Sequence, residues 1–208
     1  MMDRCLNKQS SDFVFGEEGL LSKHFEEFEY RPQQQEMAET VRLAFHNSRK
    51  VLIEAGTGVG KTLAYLSPLF ETATQLEFPI VISTATLQLQ NQILTQTIPL
   101  LQTLFPKVHL SVALAKGRQN YLCYSRLQSK IVQQSDFWEK NDHEDDFEMI
   151  YDWAKYSKTG DIQDCPFVPD KEVWKNLSCD HDLCQPKDCP HQKKCFLNKA
   201  KQSLYHAD

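Results

Sequence analysis

The sequence contains no C-x-x-C pair, no internal repeat and no low-complexity segment, and no apolar run in it reaches membrane-spanning length. Its first twenty residues, MMDRCLNKQSSDFVFGEEGL, lack the basic start and continuous apolar core of a secretory signal, so the expectation is a cytoplasmic protein with no membrane partner. Seven cysteines are odd in number and would meet a reducing glutathione pool, which argues against a disulfide framework and toward metal or redox chemistry. Net positive charge is missing too. The formal charge is −5, which by itself points to no nucleic-acid partner. That average hides an asymmetry: acid gathers in EKNDHEDDFEMIYD (139–152), while KDCPHQKKCFLNKAK (187–201) carries Lys187, Lys193, Lys194, Lys199 and Lys201 against Asp188. Either run is also an ordinary solvated face.

What is present is size and pattern. With 208 residues, 41% of them hydrophobic and 25% charged, the chain has room for one α/β domain and a smaller appended unit. Residues 33–46 place Met37, Val41, Ala44 and Phe45 at helical spacing. VLIEA (51–55), PIVIST (79–84) and VHLSVAL (108–114) are short apolar runs of the kind found in buried parallel strands. Between them, KTLAYLSPLFETATQ (61–75) and LQLQNQILTQTIPLLQTLF (87–105) read as helices, with Pro68 expected to bend or shorten the first. The alternation predicts a parallel sheet with helices on its faces. After about residue 116 the strand runs vanish. Helices are expected from Gln119 to Gln134 and from Asp146 to Tyr156, followed by a cysteine-rich loop region too polar to build much of an apolar core unaided.

AGTGVGKT (55–62) fits a phosphate-binding loop in its Ala-first form, set between a strand and a helix. Gly56, Gly58 and Gly60 permit backbone angles that turn successive N–H groups toward phosphate oxygens, and Ala55, Thr57 and Val59 complete the loop. The helix start at Lys61 adds its positive dipole end. Lys61 then reaches the β and γ phosphates of ATP, and the Thr62 hydroxyl ligates Mg²⁺. Arg31 and Gln34, some twenty residues upstream, suit an adenine edge, although a Gln-rich helix start is commonplace.

The cysteine stretch LSCDHDLCQPKDCPHQKKC (177–195) admits structural zinc on Cys179, Cys184, Cys189 and Cys195, or with His181 or His191 substituted; the lack of a close cysteine pair weighs against it.

Taken together, YRPQQQEMAE, VLIEAGTGVGKTLAYLSPL, VISTATLQLQNQIL, LAKGRQNYLC and LCQPKDCPHQKKCFLNKAKQSLYHAD resemble, in order, the XPD/DinG family of superfamily 2 DNA helicases, its bacterial DinG and YoaA branch in particular. The resemblance implies a RecA-like P-loop NTPase sheet with an inserted, mainly helical iron-sulfur domain: residues 1–115 as the ATP-binding start of the first motor domain, 116–200 as the insertion and 201–208 as the return. It implies ATP and Mg²⁺ as cofactors, a 4Fe-4S cluster held by Cys123, Cys184, Cys189 and Cys195, and adenine recognition by Arg31 and Gln34. Cys5, Cys165 and Cys179 fall outside that ligand pattern. It further implies 5′ to 3′ translocation on single-stranded or fork DNA, with Ser83, Thr84, Thr86 and Gln88 at phosphates, although polar residues at a strand end are also ordinary helix caps. Arg118, Tyr121, Lys193 and Lys194 stand beside the thiols as further DNA contacts. No Asp-Glu-Ala-His sequence occurs in the 208 residues, so the expectation is an N-terminal helicase fragment with very weak hydrolysis of its own. A non-motor ATP- and nucleic-acid-binding module with a structural metal is the alternative, and a small P-loop kinase with zinc a more distant one. Protein partners are not legible.

Overall fold

The computed structural model describes residues 11–74, 76–133, 144–181, 184 and 188–207. The chain divides into two compact units, Met1–Val112 and Ala113–Ala207.

In the first unit, α1 (Ser11–Phe15) and α2 (Leu20–His24) precede α3 (Pro32–His46), whose opening Pro32 sacrifices no hydrogen bond because first-turn N–H groups have no intrahelical partner. Helix α4 (Lys61–Ala73) runs through Pro68 and is not shortened by it. Leu66, Ser67, Pro68 and Phe70 are buried together, and packing of that face holds a turn that proline weakens. Residues 87–104 form one continuous helical segment of three parts: α5 (Leu87–Gln92), a wider π turn (Ile93–Thr97) and α6 (Ile98–Leu104). Pro99 has no N–H to return to the Thr95 carbonyl, and the widened turn sits where that bond is lost. Phe15, Leu21, Ala38, Ala64, Leu66, Phe70, Leu101 and Phe105 are among the residues of the core beneath these helices.

The expected parallel sheet is not formed among the described residues. Segments 51–55, 79–84 and 108–114 belong to no helix and no ladder, and among the described residues β pairing is limited to two isolated bridges in the second unit. Leu52 is 98% exposed and Val81 86%. A helix closes its hydrogen bonds within its own segment, whereas a parallel strand needs both edges and both faces supplied from elsewhere in the fold. Among the described residues no helix is long and apolar enough to cross a membrane.

The second unit contains α7 (Tyr124–Gln133), α8 (Glu144–Tyr156), α9 (Lys171–Leu177) and α10 (Phe196–Leu204). Helix α7 starts later than expected because Arg118–Asn120 forms a separate tight turn; Gln134 lies outside the described residues. Contrary to the expectation of a poor core, Leu122, Leu127, Phe147, Ile150, Trp153, Trp174, Leu177 and Phe196 pack into an apolar cluster of their own. Asp170 caps α9 by accepting from the N–H groups of Glu172 and Val173, and Arg126 closes its other end on the Lys175 and Ser178 carbonyls.

Three short segments meet beside this core. Tyr121 bridges Asp161 and Leu122 bridges Ser178, both antiparallel. Leu122 N–H donates to the Gly160 carbonyl, Cys123 N–H to the Leu177 carbonyl and Cys179 N–H to the Tyr121 carbonyl, each at 2.8 Å. Lys116 fastens the same place through a buried ion pair with Asp161 and a 2.7 Å hydrogen bond to Gln163. Gly160 has φ +60, and a Cβ there would stand 2.3 Å from the Phe196 ring.

Candidate functional site

The first candidate cleft lies where the loop 55–60 enters α4. Gly58 and Gly60 both adopt φ +81, the left-handed region that side chains resist, and Gly60 caps the thirteen-residue α4. Lys61 Nζ donates to the carbonyls of Ala55 (3.0 Å) and Gly56 (2.6 Å). Arg31 donates to the Gly58 carbonyl at 2.9 Å and pairs with Glu29 at 2.7 Å. Gln34 is buried, and its Nε2 donates to the Gly60 carbonyl at 3.1 Å. Backbone and amide approach so closely that a Cβ on Gly60 would lie 2.2 Å from that nitrogen. The two residues assigned to an adenine edge therefore hold the phosphate loop itself in this structure.

An open cleft of about 490 Å³ is lined by Gln34, Gly58, Gly60, Lys61 and Thr62, and also by Gln92, Gln96 and Thr97, a volume in the range of small-ligand sites. Gln92 and Gln96 were not singled out from sequence; their signal is the i, i+4 spacing that puts two amides on one helix face. The Thr62 hydroxyl hydrogen-bonds Tyr65, whose phenol burial holds above its ordinary pKa. Thr57 is exposed and Val59 half-buried on the loop. Thr86 caps α5, accepting from Leu89 N–H at 3.2 Å, and Thr84 donates to the Thr86 carbonyl at 3.1 Å, so these hydroxyls serve the local turn. Ser83 and Gln88 are exposed.

In the second unit, Cys123, Cys179, Cys184, Cys189 and Cys195 line one cavity together with Tyr124, His191 and Lys201. Cys123 comes from the segment entering α7, and its carbonyl accepts from Leu127 N–H; Cys195 caps α10. The thiol of Cys179 donates to the Leu122 carbonyl at 3.8 Å, and hydrogen bonding with its sulfur is the largest influence holding Cys123 and Cys195 at about 6, well below the usual thiol range. The N–H groups of Ser125 and Arg126 and those of Leu197 and Asn198 act in the same direction, as helix starts do for thiolates. The hydrogen bonds with Cys123 and Cys195, followed by burial, push Cys179 itself strongly upward. Burial raises Cys184, with Arg118 near enough to oppose it. Among the described residues no group of three or more His, Cys, Asp or Glu closes up as it stands to hold a metal ion; the sulfurs share the walls of a cavity. Cys165 lies apart from that cavity, half-buried against the helical core, and Cys5 lies outside the described residues.

Tyr121 is a correction to the sequence reading. It is only 4% exposed and packs with Cys179 and Leu197, so its ring offers no stacking face. The aromatic that sequence reasoning missed is Tyr124: Lys194 Nζ lies 5.1 Å from its ring centroid, and the His191 ring lies 5.3 Å away. Lys193 and Lys194 are exposed and Arg118 is half-buried.

Comparison with known proteins identifies the family. Residues 31–137, just over half of the chain, match the DEAD/DEAH box helicase family. The ATP-dependent DNA helicase YoaA of Escherichia coli (strain K12) is 34% identical over 195 residues, which is 93% of this chain and 30% of that protein. The ATP-dependent DNA helicase DinG of Photobacterium profundum is 32% identical over 83% of this chain and 26% of its own length. The 3′-5′ exonuclease DinG of Bacillus subtilis is 32% identical over 93% of this chain and 20% of its own length. The chain thus spans less than a third of these relatives. With its phosphate loop inside the matched segment, the chain belongs to the DEAD/DEAH box helicase family.

Proposed function

We propose that the chain supplies the ATP-binding start of the first motor domain of an ATP-dependent DNA helicase of the DinG and YoaA type, with residues 116–200 as an iron-sulfur insertion. The observation that carries this reading is the cleft in which Gly58, Gly60, Lys61 and Thr62 line one wall with Gln34 fastened behind them. Lys61 leaves its two carbonyl partners for the β and γ phosphates, Thr62 turns its hydroxyl to Mg²⁺, and Arg31 and Gln34 hold the loop while serving the base side of the nucleotide. In the intact motor, ATP hydrolysis drives 5′ to 3′ movement along single-stranded DNA. The cleft lined by Lys61 and Thr62 makes ATP binding the activity assigned to these 208 residues.

The thiol cavity fits a 4Fe-4S cluster by its donor chemistry: four cysteines, Cys123, Cys184, Cys189 and Cys195, for four irons, two of them at helix starts that favour the thiolate. A cluster held there supplies a rigid cross-link between the segment before α7 and the segment before α10. Lys193, Lys194 and Arg118 then offer charge to a DNA backbone, and Tyr124 with its cation partner offers an aromatic surface. A non-motor ATP- and nucleic-acid-binding module is the second reading.

Binding of a fluorescent ATP analogue with Mg²⁺ tests the first site. Saturable binding weakened at least about tenfold by Lys61→Ala is expected, and equal binding by both proteins overturns the assignment. Hydrolysis stimulated by single-stranded DNA, in a chain extended with the remaining motor segments of a relative, separates the motor from the module.

A further inference from the structure

The four-ligand pattern leaves Cys179 without a task, yet the structure puts its sulfur in the same cavity as the other four. The placement follows from backbone pairing. Leu122 bridges Ser178 in antiparallel fashion, Cys123 N–H donates to the Leu177 carbonyl and Cys179 N–H to the Tyr121 carbonyl. Paired residues share a face and alternate residues share the opposite one, so Cys123 and Cys179 fall on one face as diagonal neighbours, a separation that side chains span. Cys179 is 3% exposed and packs with Tyr121 and Leu197, with Cys123 and Cys195 against that group. Its spacing repeats too: four residues separate Cys179 from Cys184, as four separate Cys184 from Cys189.

We propose that Cys179 is a reserve ligand of the thiol cavity, placed to take over the iron that Cys123 holds. The inference rests on the cluster reading above. The exchange is balanced: the Fe–S bond to Cys123 breaks and that sulfur takes a proton, while the Cys179 thiol gives up a proton and its sulfur forms the new Fe–S bond. No change of oxidation state is involved. The site thereby survives loss or modification of its half-buried, more accessible thiol.

The test reconstitutes the full chain anaerobically with ferrous iron and sulfide and measures iron, acid-labile sulfide and visible absorption per chain. Wild type, Cys123→Ala, Cys179→Ala and the double variant are compared, with far-UV circular dichroism as the check of folding. Cys179→Ala should load fully, Cys123→Ala should keep roughly half or more of the wild-type iron with an altered absorption band, and the double variant should keep under about a tenth. A Cys123→Ala protein that is folded but as empty as the double variant overturns the proposal. If Cys123→Ala does not fold, Cys123→Ser with and without Cys179→Ala replaces it, and equal iron in those two proteins overturns the proposal. Wild-type protein that takes up no iron sinks the cluster reading itself, an outcome distinct from the others.

Discussion

Replacing Asp161 by Asn probes the ion pair that fastens the approach to Cys123. Lys116 and Asp161 are 3% and 7% exposed, so their charges are compensated by each other and by the Gln163 side chain, with little help from water. Asparagine keeps the shape and can still accept from Gln163 N–H, the bond by which Asp161 caps its turn at 3.1 Å. It nevertheless leaves the Lys116 ammonium buried without a counter-charge. Removing one partner of a buried pair typically costs about 3–5 kcal/mol, whereas removing both charges is far cheaper. Asp161→Asn should therefore destabilise the second unit by about 3 kcal/mol or more, and adding Lys116→Met should recover most of that loss. Urea unfolding followed by tryptophan fluorescence isolates the effect, because all three tryptophans, Trp138, Trp153 and Trp174, lie between residues 113 and 207. A loss below about 1 kcal/mol, or a double variant no better than Asp161→Asn alone, would mean that the buried Lys116 charge does not depend on Asp161.

Gly160→Ala should cost about 2–4 kcal/mol in the same assay, since φ is +60 and the new methyl meets Phe196 at 2.3 Å; a neutral result would mean that this junction yields easily. Burial pushes the Glu71 carboxyl up to about 7, with Arg42 opposing. A folded pKa above the ordinary 4.5 makes its contribution to stability complete below pH 4.5 and lost as pH rises through 7. Glu71→Gln should accordingly raise the unfolding free energy by about 1–3 kcal/mol at pH 8 and leave it unchanged at pH 4.5, read by thermal melts at both values.

The helices were the most legible part of the chain because their information is local. The helix read over 33–46 forms as α3, although of its expected stripe Met37 packs against the core while Val41, Ala44 and Phe45 stay half-buried and Gln34 and Ala38 are the buried residues; AGTGVGKT leads into α4 as expected, with Gly60 at its start. Pro68 misled because burial of its neighbours outweighs a local penalty. VLIEA, PIVIST and VHLSVAL carry the composition of strands, but composition states only a readiness to pair; the ladder depends on segments far away in sequence. Distance in sequence also hid the surroundings of the thiols. Nothing in LSCDHD announces that Ser178 bridges Leu122, so neither the burial of Tyr121 nor the position of Cys179 beside Cys123 was visible before the fold. The buried Lys116 and Asp161 pair, forty-five positions apart, escaped for the same reason.

The metal content of protein purified under argon tests the proposal that thiols separated by some sixty residues grip one inorganic core. Brown protein with about four irons and four acid-labile sulfides per chain is the predicted result. Colourless protein carrying one zinc per chain would contradict it.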